Sequence, residues 1–156
     1  MFTREQVVEA SAEAGLAALS QREFRFYSAD FVAPVLTSCL TVALFSPVAS
    51  DRLARLWSAA CFCHSENVCE NWSVFRERFK TEFQAQKITA AEFQAASGEL
   101  VDALNPELVA AIAEIRGVGS KVRDGLSIVG GAGLRSLIGI SSDRAVVLVW
   151  TKAQNA

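Results

Sequence analysis

The chain of 156 residues lacks the features that mark membrane and exported proteins. No apolar run reaches the roughly 18–20 uncharged residues of a membrane-spanning helix, and the longest apolar stretch, residues 31–49, is interrupted by Pro34 and Pro47. The first residues do not form the apolar core of a signal peptide. We therefore expect one domain, long enough to bury a hydrophobic core without disulfide bonds.

Residues for catalysis or metal binding are equally scarce. The one histidine, His64, has no evident nucleophile partner, and no glycine-rich loop fits a phosphate-binding fingerprint, so we expect neither an enzyme nor a cofactor. Cys61, Cys63, His64 and Cys69 are zinc-type ligands, but their spacing is not a usual zinc pattern. A zinc site and, more commonly, reduced cysteines without metal both stay open.

Basic charge is also in short supply, because the formal net charge is −2. This balance argues against a generic basic coat for nucleic acid. Eleven of the 15 basic residues are nevertheless arginines, which favour bidentate contacts with phosphate. Hydrophobic residues make up 51% of the chain, and the mean hydropathy is +0.26. Such a surplus of apolar side chains predicts that part of the surface is covered by partner subunits.

Capping residues followed by apolar residues at helical spacing indicate several short helices. The predicted helices begin near Thr3, Val32, Asp51, Ser65, Thr89 and Asn105. Extended pieces are predicted at 23–28 and 145–150. The fold class that follows is mainly α, an antiparallel helix bundle in one domain. It comprises an N-terminal helical extension (1–21), the bundle (22–116) and a glycine-rich C-terminal segment (117–156).

One glycine motif supports a different function. Gly117-Val118-Gly119 lies between two possible helices and resembles the helix-hairpin-helix DNA-binding module, whose backbone N–H groups bind a phosphate. The other reading of the same residues is the C-cap of a helix followed by a glycine-rich loop.

Six short motifs follow one another over about 130 residues. They are residues 23–28 (Glu-Phe-Arg-Phe-Tyr-Ser), Phe45 with Arg52 and Arg55, residues 76–78 (Arg-Glu-Arg), residues 89–103, residues 115–120 (Ile-Arg-Gly-Val-Gly-Ser) and residues 148–151 (Leu-Val-Trp-Thr). In this order they resemble the coat proteins of tobamovirus-type, rod-shaped RNA viruses. The chain departs from this family by an extra N-terminal helix and by an insertion between residues 120 and 147. It therefore resembles a distant relative of the family more than a typical member.

The resemblance implies a viral coat protein with an antiparallel four-helix bundle. Such a subunit assembles helically around single-stranded genomic RNA, without base specificity, into a virion formed in the host cytoplasm. The RNA-binding residues that it implies are Arg52, Arg55, Arg76, Arg78 and Asp102. Glu82 and Glu92 would be carboxylates that face each other between subunits and make assembly depend on pH. The alternatives are the DNA-binding module and a helical assembly protein without nucleic acid.

Overall fold

A computed structural model describes residues 25–32, 39–45, 84–130 and 133–151. These residues form one antiparallel sheet of six strands in the order β1-β2-β6-β5-β4-β3. The strands are β1 (Arg25–Asp30), β2 (Cys39–Phe45), β3 (Gln84–Thr89), β4 (Asp124–Val129), β5 (Leu134–Ile140) and β6 (Ala145–Thr151). Two helices, α1 (Ala90–Asp102) and α2 (Val109–Gly119), lie between β3 and β4 in the chain.

The predicted four-helix bundle, and with it the mainly α fold class, is wrong. Six strands and two helices are found in the described residues, and β2 lies where the sequence predicted a helix over 32–44. The cause is that β2 is buried on both faces, so its apolar residues do not alternate with polar ones. A short apolar run without alternation cannot be assigned to helix or strand by its period. The extended pieces predicted at 23–28 and 145–150 are confirmed as β1 and β6.

Both faces of the sheet are buried. On the face that carries the helices, the core includes Val42, Leu137 and Leu148 from three adjacent strands. The residues that alternate with them point to the opposite face, where Val147 and Ile138 are fully buried as well. The central strand β6 is therefore apolar on both sides, from Ala145 to Val149.

Helix α1 crosses the sheet from one edge to the other. It begins directly after edge strand β3, where Thr89 and Glu92 form a capping box: the Thr89 hydroxyl accepts from the Glu92 N–H, and the Glu92 carboxylate accepts from the Thr89 N–H. Its 13 residues span about 20 Å, close to the roughly 24 Å across six strands. The segment after α1 therefore reaches edge strand β1, where the Val32 N–H donates to the Ala103 carbonyl at 2.9 Å.

The approach of α1 to the sheet depends on a glycine. Phe93 of α1 is fully buried and lies over Gly139 of β5. A Cβ at Gly139 would lie 2.7 Å from the Phe93 ring and 2.7 Å from Val122. Only the absence of a side chain at this position allows the helix and strand to come this close.

We expect Gly139→Ala to lower the free energy of unfolding by about 1–3 kcal/mol, because the added methyl group overlaps two buried side chains. Denaturant titration of the purified protein measures this change. Gly98→Ala in α1 is the matched control, since a Cβ there meets no described atom within 4 Å. The control should raise stability by up to about 1 kcal/mol through helix propensity. Equal effects of the two substitutions would contradict the packing role of Gly139.

Candidate functional site

Helix α2 exposes a face that carries little charge. We define the α2 outer face as Val109, Ala110, Ala113, Arg116 and Gly117, all of which are exposed. With a rotation of about 100° per residue, Ala113 lies at the centre of this face, and Val109 and Gly117 lie to either side. Val109 is 69% exposed. A surface helix normally presents charged residues to water, whereas this face carries one.

The orientation of α2 is fixed from both ends and from below. Before the helix, the Asn105 side-chain oxygen accepts from the Glu107 N–H at 3.0 Å and sets the turn. After it, the Ser120 hydroxyl donates to the Gly117 carbonyl at 2.9 Å. Ile115 and Val118 are buried in the core beneath the helix. The outer face is therefore the side that remains once the helix has packed on the sheet.

An open cleft of about 510 Å³ borders the α2 outer face. Its lining residues are Ala113, Glu114, Gly117, Val118, Ser120, Lys121, Asp143 and Arg144. Gly117 belongs to both the face and the cleft, and a Cβ there would meet no described atom within 4 Å. The surface at Gly117 is thus a hollow in the helix, beside a larger depression.

The turn between β5 and β6 forms the charged side of this cleft. The buried Ser141 hydroxyl lies 2.8 Å from the Asp143 carboxylate and accepts from the Arg144 N–H at 3.0 Å. Its hydrogen bond to Asp143 lowers the pKa of that carboxyl, and Lys121, at 4.0 Å, lowers the pKa further. Asp143 is therefore held as a carboxylate, in a turn that the Ser141 hydrogen bonds close.

Two of the predicted site residues lie in the described residues, and they do not form one site. Glu92 takes part in the capping box at the start of α1. Asp102 lies at the end of α1, about 15 Å along the helix, where it forms an exposed ion pair with Arg116 at 3.1 Å. Asp102 thus orients an arginine, but Arg116 is not one of the arginines that the resemblance assigned to RNA.

The other predicted site residues cannot be placed. Arg52, Arg55, Arg76, Arg78 and Glu82 lie outside the described residues, so their roles in RNA binding and pH dependence stay predictions. The group Cys61, Cys63, His64 and Cys69 also lies outside them. Among the described residues, no cluster of three or more histidine, cysteine, aspartate or glutamate side chains could hold a metal ion.

The glycine motif at residues 117–119 is part of a helix. All three residues belong to the last turn of α2, and residues 120–123 lead directly into strand β4. The expected hairpin between two helices is therefore absent from this described part of the chain. The second reading, the C-cap of a helix followed by a glycine-rich loop, agrees only in part: the helix ends here, but Gly117 and Gly119 lie within its last turn and Ser120 is the C-cap.

Sequence reasoning missed the α2 outer face. Leu108, Ala111, Ile112 and Ile115, the residues that predict the helix, mark only its inner side. The sequence does contain a feature that indicates this face, because α2 has only two charged residues in its 11 positions, Glu114 and Arg116. A helix that is apolar nearly all round predicts a second buried face.

Comparisons with known proteins identify no relative. No family model, curated protein or solved structure matches the chain. None of the helices in the described ranges is long and apolar enough to cross a membrane.

We expect Ser141→Ala to raise the pKa of the Asp143 carboxyl towards its ordinary value, because the main hydrogen bond to the carboxylate is lost. In the parent, the folded-state pKa is lowered, so its stabilisation is complete above pH of about 4 and is lost as pH falls further. NMR titration of the Asp143 side chain measures the shift. Ser142→Ala, in the same exposed turn, should leave that pKa unchanged. A parent pKa at the ordinary value would contradict this electrostatic description.

Proposed function

We propose that this protein is a structural subunit that acts by self-association rather than as an enzyme. The observation that carries the proposal is the α2 outer face, which exposes Val109, Ala110, Ala113 and Gly117 to solvent, with Arg116 as its single charge. Burial of apolar surface contributes about 25 cal/mol per Å². A chain that is 51% hydrophobic gains from covering such a face with another subunit.

The other described surfaces support association less well. Edge strand β3 exposes Gln84, Gln86 and Lys87, and polar residues with a lysine are typical of edges that avoid pairing with another strand. The end of β1 is already hydrogen-bonded to the segment between α1 and α2, through Asp30 and Val32. Both faces of the sheet are buried at its central strands β2, β6 and β5. The α2 outer face is thus the described surface best suited to a partner.

The chemistry of the neighbouring cleft also favours a structural role. A general base works best with a pKa near the operating pH, but the pKa of Asp143 is lowered by its hydrogen bond from Ser141. Lys121 faces the same carboxylate at 4.0 Å. These groups neutralise each other and close a turn, which is the arrangement of a structural ion pair.

The coat-protein role follows from the resemblance alone, and the bundle that would align its arginines is not the fold of this chain. The proposal is therefore limited to self-association through protein contacts. Whether RNA accompanies the assembled protein is a separate question, because Arg52, Arg55, Arg76 and Arg78 lie outside the described residues.

We expect the purified full chain to sediment as a multiple of 16.8 kDa, with an average mass that rises with concentration. Sedimentation velocity over a wide concentration range measures this mass. The ratio of absorbance at 260 and 280 nm, before and after nuclease treatment, reports whether nucleic acid is present. A constant mass of one subunit would contradict the proposal. Dissociation caused by nuclease would contradict association through protein contacts.

A further inference from the structure

We propose that the partner of the α2 outer face is the same face of a second copy of the chain. In this pairing two α2 helices run antiparallel about a two-fold axis beside Ala113, and Val109 of each copy packs against Gly117 of the other. This inference rests on the proposed function and specifies the contact that it uses.

The regular spacing of Val109, Ala113 and Gly117 along α2 determines how two copies can pair. Val109, Ala113 and Gly117 form a row at intervals of four residues along α2, with Ala113 in the middle. Rows of this kind pack against each other at about 50° in the commonest class of helix contacts. A two-fold axis beside the middle residue of an antiparallel pair brings the first residue of one row level with the last residue of the other. Val109 and Gly117 therefore meet twice in one dimer.

The shapes of these residues are complementary. Val109 is the most exposed large hydrophobic residue of the described chain, at 69%. Gly117 offers bare backbone next to the cleft of about 510 Å³. Glycine inside a helix costs about 1 kcal/mol relative to alanine, and the fold beneath α2 does not require it, since a Cβ would meet no described atom within 4 Å. Close approach of another chain is a physical reason for glycine here.

The charges at the two ends of α2 favour the antiparallel arrangement. Exposed Glu107 precedes the helix, whereas Arg116 and Lys121 at its C-terminal end already lie beside the Asp102 and Asp143 carboxylates, at 3.1 and 4.0 Å. Antiparallel pairing opposes the two helix dipoles favourably and keeps the two Glu107 carboxylates apart. Parallel pairing would align the dipoles and place the two Glu107 carboxylates side by side. The face is thus complementary to itself in shape, and the antiparallel arrangement avoids like charges, which identifies a second copy as its occupant.

The first test places a large side chain at Gly117. We expect Gly117→Leu to raise the dissociation constant of the dimer at least about tenfold, because the new side chain occupies the space of the partner's Val109. The same substitution should not weaken the fold, since leucine is a better helix former and the position is open. Sedimentation and thermal unfolding, measured on the same variant, separate the two effects.

The second test removes the Val109 side chain that is proposed to pack against Gly117 of the other copy. Val109→Ser should weaken association to a similar extent as Gly117→Leu. Val32→Ser is the matched control, because Val32 is 61% exposed but lies just after β1, away from α2 in the sequence. The control should associate like the parent.

The third test detects the axis directly. Ala113→Cys should give a disulfide-linked dimer under mild oxidation, since the two copies of this residue lie side by side across the two-fold axis. Ala95→Cys, exposed on α1, is the control. It should cross-link no more than the parent, which has the same four native cysteines.

The outcomes distinguish this inference from the proposed function. A parent that is monomeric at every concentration overturns both. A parent that associates, and whose mass is unchanged by Gly117→Leu and Val109→Ser, overturns the α2 pairing and leaves self-association standing. Cross-linking of Ala95→Cys in preference to Ala113→Cys overturns the two-fold axis beside Ala113. Loss of association in both α2 variants, with Val32→Ser unaffected, supports the pairing.

Discussion

The contact between Phe93 and Gly139 is the constraint on which the rest of the described structure depends. It brings α1 down onto β5, so that a short helix can cover the strands between the two edges of the sheet. Once α1 is fixed, its end at Asp102 determines where α2 begins its return path. Gly119 of α2 then lies close to Ser97 and Phe93 of α1, with a Cβ position 3.6 Å from the Ser97 hydroxyl oxygen. The contact of Phe93 with Gly139 fixes α1, and α1 in turn determines the position of α2 and of its outer face.

The sequence predicted local structure more reliably than the fold. The helix start at Thr89 was readable because capping depends on residues within a few positions of each other. The start predicted at Asn105 was less accurate, since α2 begins only at Val109 and no side chain caps it. The sheet was not readable in the same way. Strands β2 and β6 pair across a separation of about 100 residues, and β2, buried on both faces, lacks the alternation that would mark it as a strand. The fold class was wrong because β2 is buried on both faces, and this burial depends on strands and helices that are distant in the sequence.

The candidate site shows the same limit. Glycines 117 and 119 drew attention as a possible hairpin, although they occupy the last turn of a helix. Their different roles follow from what lies near them. Gly119 is buried against α1, whereas Gly117 is exposed beside a cleft. The orientation of α2 on the sheet determines that Gly119 faces α1 and that Gly117 faces solvent. The local sequence around the two glycines does not specify this orientation.

The central pairing of β2 with β6 also has a consequence for synthesis of the chain. The hairpin of β1 and β2 leaves the ribosome long before residues 145–151 are made. During that interval the backbone edge of β2 that pairs with β6 is open. Until β6 is made, this open edge can pair with other copies of the chain. Synthesis of β6, which joins β2 to β5, is therefore the event that completes this sheet.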